Sequence, residues 1–277
     1  MCTLAPNPMR TCYSNLACPD WTFEKTVDAV AIYGFDGLEV RLFDGEVVTP
    51  ALSAGSRQRA QRALRTSGVE VAALDTSLRV ICDDGKGFLS DVEVLSDIAQ
   101  LWGAPLVRLF GGQLPSEPEA RRDALKRGGD LLVEAAPRAA DRGVKLAVET
   151  HDDFSSAKTV AELLEYAGAS AGAVYDSHHP HRMGERPAEV LEELRGLLSL
   201  VQVKDARRLA GEDQWQLVPL GQGEVPVREL VGLLPGAGYD GWVSLEFEKK
   251  WHPELAPPEQ ALGPQAATLR QWLRGGP

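Results

Sequence analysis

Three of the five histidines in the chain lie in one stretch, VYDSHHPHRMGE (174–185), directly after Asp176. Imidazoles gathered beside a carboxylate point to a metal site, and a solvated loop is the plainer alternative. Three further apolar runs also end in oxygen-bearing side chains. VKLAVE ends in Glu149, SLVQ in Gln202 and WVSLE in Glu246. Carboxylates and an amide oxygen are the donors that a hard divalent cation takes, and carboxylates also carry protons in general acid–base chemistry. Whether they meet depends on the elements that carry them.

The chain alternates short apolar strands with longer amphipathic segments. Strands are predicted at 11–17, 37–43, 70–76, 105–110, 144–150, 172–177, 199–204 and 241–247. Helices are predicted at 22–33, 53–67, 90–103, 118–142, 157–168, 187–196, 226–236 and 259–274, with Thr22 as an N-cap and Gly34, Gly103 and Gly143 at C-terminal ends. Eight strands, each followed by a helix, predict an α/β fold of the parallel (β/α)8 TIM-barrel kind. No linker or composition break divides the chain, so one domain over 1–277 is expected, with an active-site loop at about 205–225. The GQGEVP within that loop reads as a turn, since no Lys-Ser/Thr and helix follow as a phosphate loop requires.

In such a barrel, catalytic groups sit at the C-terminal strand ends. Glu149, Asp176, Gln202 and Glu246 end the last four strands, so all four converge on one rim. Residues two earlier, Ala147, Val174, Leu200 and Ser244, share their parity and suit the packed barrel interior. Val148, Tyr175, Val201 and Leu245 face the helices instead. Clustered carboxylates repel one another, and burial drives protons onto them. A divalent cation removes the conflict, and oxygen donors suit Mn²⁺ or Mg²⁺, with Zn²⁺ or Co²⁺ as alternatives. The competing reading pairs these acids with Arg41, Arg108 or Lys204.

Composition narrows the function classes. The chain has 277 residues, 44% hydrophobic and 25% charged, which is enough to bury a substantial core. A net charge of −11 disfavours nucleic acid and anionic membrane surfaces as partners. No apolar run reaches membrane-span length, and MCTLAPNPMR lacks the apolar core of a secretory signal. Cys2, Cys12, Cys18 and Cys82 form no CxxC pair and read as reduced thiols, so a cytoplasmic location is expected.

The runs LAVETH, YDSHHP, VQVKDAR and VSLEFEKKWHPE, in order at successive strand ends, resemble the xylose-isomerase-like sugar isomerase and epimerase family. That family contains ketose 3-epimerases, hydroxypyruvate isomerase and inosose dehydratase. The resemblance implies that Glu149, Asp176, Gln202 and Glu246 ligate the metal, with Glu149 and Glu246 exchanging protons with substrate. It also implies that His179 and Arg208 contact substrate and that His151 lines or supports the pocket. Gln202 stands where most relatives carry histidine, a swap that favours harder ions. Lys204 shares the parity of Gln202, and is expected to neutralise carboxylates or reach substrate. Glu39 and Arg41 share parity on the second strand, where an interior salt bridge is the first expectation.

The implied reaction is proton transfer next to the carbonyl of a small sugar, sugar phosphate or polyol ketone, through a metal-stabilised enediolate. A lyase of the same family, of the inosose or dehydroshikimate dehydratase type, would use the same ligands. An abasic-site endonuclease shares the fold but needs histidines from early strands, and none precedes His151. A non-catalytic sugar-binding barrel is the remaining alternative. Oligomeric state stays open between a monomer and the dimers or tetramers common among relatives.

Overall fold

Strand β1 (Arg10–Ser14) pairs in parallel with both β2 (Gly37–Val40) and β8 (Trp242–Leu245), and this double pairing closes the sheet on itself. The computed structural model describes residues 9–209 and 214–275. Between β2 and β8 run β3 (Glu70–Ile81), β4 (Leu106–Gly112), β5 (Lys145–Glu149), β6 (Ala171–Asp176) and β7 (Leu198–Val203). All are parallel neighbours in chain order, which makes a closed (β/α)8 barrel.

Helices α1 (Phe23–Tyr33), α2 (Ala54–Ser67), α3 (Gly85–Trp102), α4 (Pro118–Ala140) and α5 (Ala157–Ala167) follow the first five strands. A short α6 (His178–Arg182) and α7 (Pro187–Glu193) follow β6, while α8 (Val227–Leu233) and α9 (Pro258–Leu273) follow β7 and β8. Local chemistry sets several boundaries. The Thr22 hydroxyl accepts from the Lys25 N–H at 3.3 Å at the start of α1, and Gly34 ends that helix at φ 81°. A side chain there would cost energy that glycine avoids. Asp84 accepts from the Gly87 N–H at 2.9 Å, so α3 starts five residues earlier than hydrophobic periodicity alone suggests.

Strand parity divides the core in two. Cys12, Ala73, Leu106, Ala147, Val174 and Leu200 form a cluster inside the barrel. Val148, Tyr175, Val201 and Leu245 belong to the larger cluster between strands and helices. Small and aliphatic interior side chains therefore fill the barrel beneath its C-terminal rim, as period-two alternation requires.

Two local expectations need correction. The first strand ends at Ser14, and Asn15–Ala17 turn into a 3-10 helix. The segment expected as an irregular loop at 205–225 instead forms an antiparallel hairpin, Asp205–Arg208 with Trp215–Val218. Asp205 anchors it, accepting from the N–H groups of Ala206, Gly221, Gly223 and Val225 at 2.8–3.2 Å. The tip, 210–213, lies outside the described residues.

Candidate active site

Asp176 is held from two sides at the end of β6. Its N–H donates to Thr150 Oγ1 at 3.0 Å, and its Oδ1 accepts from the His178 N–H at 2.8 Å. The Ser177 hydroxyl donates to the Lys204 carbonyl and accepts the Lys204 N–H, both at 3.0 Å, which ties the ends of β6 and β7 together. Lys204 Nζ then lies 2.7 Å from Asp176 Oδ2 and 2.7 Å from Glu246 Oε2, and it also pairs with Glu248. Across the barrel, Arg108 Nε lies 2.9 Å from Glu149 Oε2, and its Nη2 lies 3.6 Å from Asp75 Oδ2.

Glu149, Asp176 and Glu246 each offer an oxygen within 4.8 Å of the others. Gln202 joins them through Nε2, which donates to Glu39 Oε1 at 2.7 Å and lies 3.4 Å from Glu246 Oε1. Its carbonyl oxygen Oε1 is buried and has no hydrogen-bond partner. Ser244 donates to the other oxygen of Glu39. Thus Glu39 is bonded to Gln202 and Ser244, and the expected Glu39–Arg41 salt bridge does not form. Arg41 turns instead to the Asp75 carbonyl at 3.4 Å and the Ser77 hydroxyl at 2.9 Å.

Charge balance tests whether a divalent ion fits. Glu39, Asp75, Glu149, Asp176 and Glu246 are all buried in this neighbourhood, against Arg41, Arg108 and Lys204. With the half-buried Glu248 on Lys204, six acids face three bases, a surplus of negative charge that a cation would offset. Burial pushes Glu149 well above the usual carboxylate range, although Arg108 pulls it down. Burial likewise raises Glu246 against Lys204, and raises Glu39 with help from Asp75 and Glu246. Burial alone would lower Lys204, but Asp176, Glu246 and Glu248 hold its ammonium well above the ordinary lysine range. The oxygen donors, their spacing and the charge deficit fit a hard divalent cation.

A cavity of about 390 Å³ is lined by His151, His178, His179, Lys204, Trp215 and Glu248, with the His178 and Trp215 rings 5.4 Å apart. His151 and His179 stack edge to face at 4.4 Å, and His179 Nε2 lies 3.8 Å from Asp176 Oδ2. Burial lowers His151 to about 4 and His178 to about 3, and it lowers His179 well below its ordinary value. All three imidazoles are therefore neutral at pH 7, fit to accept or donate a hydrogen bond. His181 packs its ring 5.4 Å from Trp215. Arg208 is exposed on the hairpin, and the structure does not bring it into the cavity lining.

Asp75, Glu248 and His178 were not singled out by sequence reasoning as site residues. Parity offered a signal for the first two: Asp75 lies two residues after interior Ala73, and Glu248 two after Glu246. Lys249 and Lys250 bond backbone carbonyls, of Leu255 at 2.6 Å and of Gly45 at 2.7 Å.

A family-wide sequence pattern described as Xylose isomerase-like TIM barrel matches residues 27–274, nearly the whole barrel. The chain belongs to that family. Among curated relatives of the family, a putative hydroxypyruvate isomerase from Streptomyces coelicolor is 26% identical over 245 residues, covering 79% of this chain and 83% of the relative. Solved structures of the same fold include a xylose isomerase-like TIM barrel/4-hydroxyphenylpyruvate dioxygenase fusion protein, at 21% identity and TM-score 0.77. That match covers 97% of this chain, which spans only 44% of the fusion protein. The IOLI protein with a bound zinc atom matches at 20% identity and TM-score 0.77, over 96% of this chain and 98% of its own. The probable 3-DHS dehydratase AsbF from Bacillus anthracis matches at 17% identity and TM-score 0.76, over 95% and 99%.

Proposed function

We propose that this family member is a divalent-metal-dependent isomerase or epimerase of a small sugar or sugar-like polyol ketone. One observation carries the reading: Glu149, Asp176 and Glu246 meet within 4.8 Å at the C-terminal rim of the barrel. In this reading Glu149, Asp176, Gln202 and Glu246 hold the ion, Mn²⁺ or Mg²⁺ in preference to Zn²⁺ or Co²⁺, because all four offer oxygen. The zinc atom bound by the IOLI protein, which shares this fold, supports a divalent metal in this reading. A bound ion would supply Lewis-acid polarisation of a substrate oxygen and lower the barrier to forming a carbanion beside it.

The chain's own residues do the rest. Glu149 and Glu246 are the proton carriers, one taking the proton beside the carbonyl and the other returning it. Both are buried at the rim, with Arg108 against Glu149 and Lys204 against Glu246 to fix their carboxylates for proton exchange. Return to the opposite face epimerises, and return to the neighbouring carbon isomerises. Arg108 and Lys204 keep the two acids apart and oriented, while the neutral His151 and His179 offer hydrogen bonds to substrate hydroxyls. Buried, unpaired thiols at Cys12 and Cys18 support a reducing, cytoplasmic setting, and no described helix is long and apolar enough to cross a membrane.

A panel of ketoses, inososes and hydroxy-keto acids, incubated with Mn²⁺-loaded protein and followed by product analysis, tests this reading. Epimers or aldose–ketose isomers with the carbon skeleton unchanged are the expected products. An ultraviolet-absorbing enone would replace the reading with a dehydratase, and no turnover of any member would overturn the enzymatic assignment.

A further inference from the structure

Among the described residues, Lys204 is the one buried cation that touches two of the carboxylates proposed to hold the ion. Its Nζ lies 2.7 Å from Asp176 Oδ2 and 2.7 Å from Glu246 Oε2, and it also pairs with Glu248. Arg108 touches one of them, Glu149, and places its other contact on Asp75. The three acids around Lys204 are not held alike. The ammonium donates hydrogen bonds to Glu246, at 2.7 Å, and to Glu248. Asp176 Oδ2 is just as close but has no hydrogen-bond partner, so charge alone joins it to the lysine.

Asp176 has no oxygen to spare. Its Oδ1 accepts the His178 N–H at 2.8 Å, which leaves Oδ2 for an added cation. Gln202 is the register partner of Asp176 on the adjoining strand, and its buried Oε1 is unpartnered as well. Buried acceptors left unpaired are costly, and an ammonium that contacts one without bonding either does not complete them. The lysine thus stands against the very oxygen that a divalent ion would need. Its backbone is fixed, because the Ser177 hydroxyl bonds both its N–H and its carbonyl at 3.0 Å. Only the side chain is left to move. Lys204 and Glu248 both line the 390 Å³ cavity, so room lies on the Glu248 side.

We propose that Lys204 competes with the divalent ion for Asp176 and so sets the metal affinity of the site, releasing Asp176 but keeping Glu246 and Glu248 when the ion enters. The inference rests on the metal reading above and deepens it by naming the residue that tunes occupancy. Glu248 is the counterweight, since its carboxylate draws the ammonium towards the cavity and away from Asp176.

Calorimetric titration of MnCl₂ into protein dialysed against a chelator tests this. Lys204→Met should tighten Mn²⁺ binding by about ten-fold or more, the weight of one charged contact. Removing any nearby positive charge also favours a cation, and Arg41→Met measures that general effect. Arg41 is a buried cation beside the site that bonds only the Asp75 carbonyl and the Ser77 hydroxyl, and its loss should tighten binding by less than about three-fold. Glu248→Gln should weaken binding several-fold in wild type and change nothing in the Lys204→Met background, because Glu248 acts through the lysine. Thermal melting with Mn²⁺ present checks that each variant folds. If Lys204→Met does not, Lys204→Gln, which keeps a hydrogen-bond donor, should shift affinity in the same direction. Equal tightening by Lys204→Met and Arg41→Met overturns the proposal, as does a Glu248→Gln effect that persists without the lysine. Mn²⁺ bound with one affinity by wild type and every variant removes the lysine's role and leaves the metal reading standing. Mn²⁺ bound by none of them overturns both.

Discussion

The two halves of the barrel bring opposite chemistry to one rim. Strands β5 to β8 end in Glu149, Asp176, Gln202 and Glu246, with Lys204 the cation that follows them. Strands β2 to β4 bring Arg41, Asp75 and Arg108, and Asn15 supports them from the end of β1. Contacts cross the divide at Arg108–Glu149 and at Glu39–Gln202, the latter a 2.7 Å bond between residues 163 positions apart. In the proposed reading the late half supplies the reactive acids together with Lys204, while the early half adds Arg108 against Glu149. Chemistry and its support occupy different parts of the chain.

That division can be broken by mutation. The largest effects should come from the late half. Glu149→Gln and Glu246→Gln should each lower turnover by about 10²–10⁴-fold, the usual weight of one positioned acid or base, with circular dichroism confirming that the fold is kept. Wild-type rates in both would remove the acid–base assignment. In the early half, Arg108→Met should chiefly affect stability, by about 3–5 kcal/mol, because it strands Glu149 and Asp75 without their buried partner. Urea denaturation checks this, and a stability loss under about 1 kcal/mol would show that the pair is not a structural link.

A smaller effect should follow at the bond that joins the halves. Gln202→His replaces an oxygen donor with nitrogen and removes the donor to Glu39. Competitive metal titration should then move preference from Mn²⁺ towards Zn²⁺ by about ten-fold. An unchanged preference would place Gln202 outside the ion's reach. The smallest effect lies in the early half, away from the site, where exposed Cys82 borders a groove of about 680 Å³. Partial burial, with Asp84 and Asp83 nearby, raises its thiol above the ordinary range. A raised pKa leaves less thiolate at pH 8, so alkylation in a Cys2→Ser background should be slower than for a free thiol. The rate should keep rising past the pH at which a free thiol levels off.

The late half was the more legible in the sequence, for a physical reason. Its polar residues end short apolar strands, so parity alone sends Glu149, Asp176, Gln202 and Glu246 to one rim. Interior and exterior faces followed the same rule, as Ala147 and Val148 show. In the early half, parity places Glu39 and Arg41 on one face but cannot choose their partners. Those partners come from other strands: Ser77 for Arg41 from the neighbouring β3, and Gln202 and Ser244 for Glu39 from strands that only barrel closure brings near. Arg208, which the family resemblance placed on substrate, sits exposed on a hairpin that leaves the barrel, where strand parity offers no reading.

Anomalous scattering from a crystal soaked in Mn²⁺ tests the central claim most directly. A single strong peak should appear between the side-chain oxygens of Glu149, Asp176, Gln202 and Glu246. Full soaking with no peak there, and Lys204 still seated on Asp176 and Glu246, would contradict the metal-centred account.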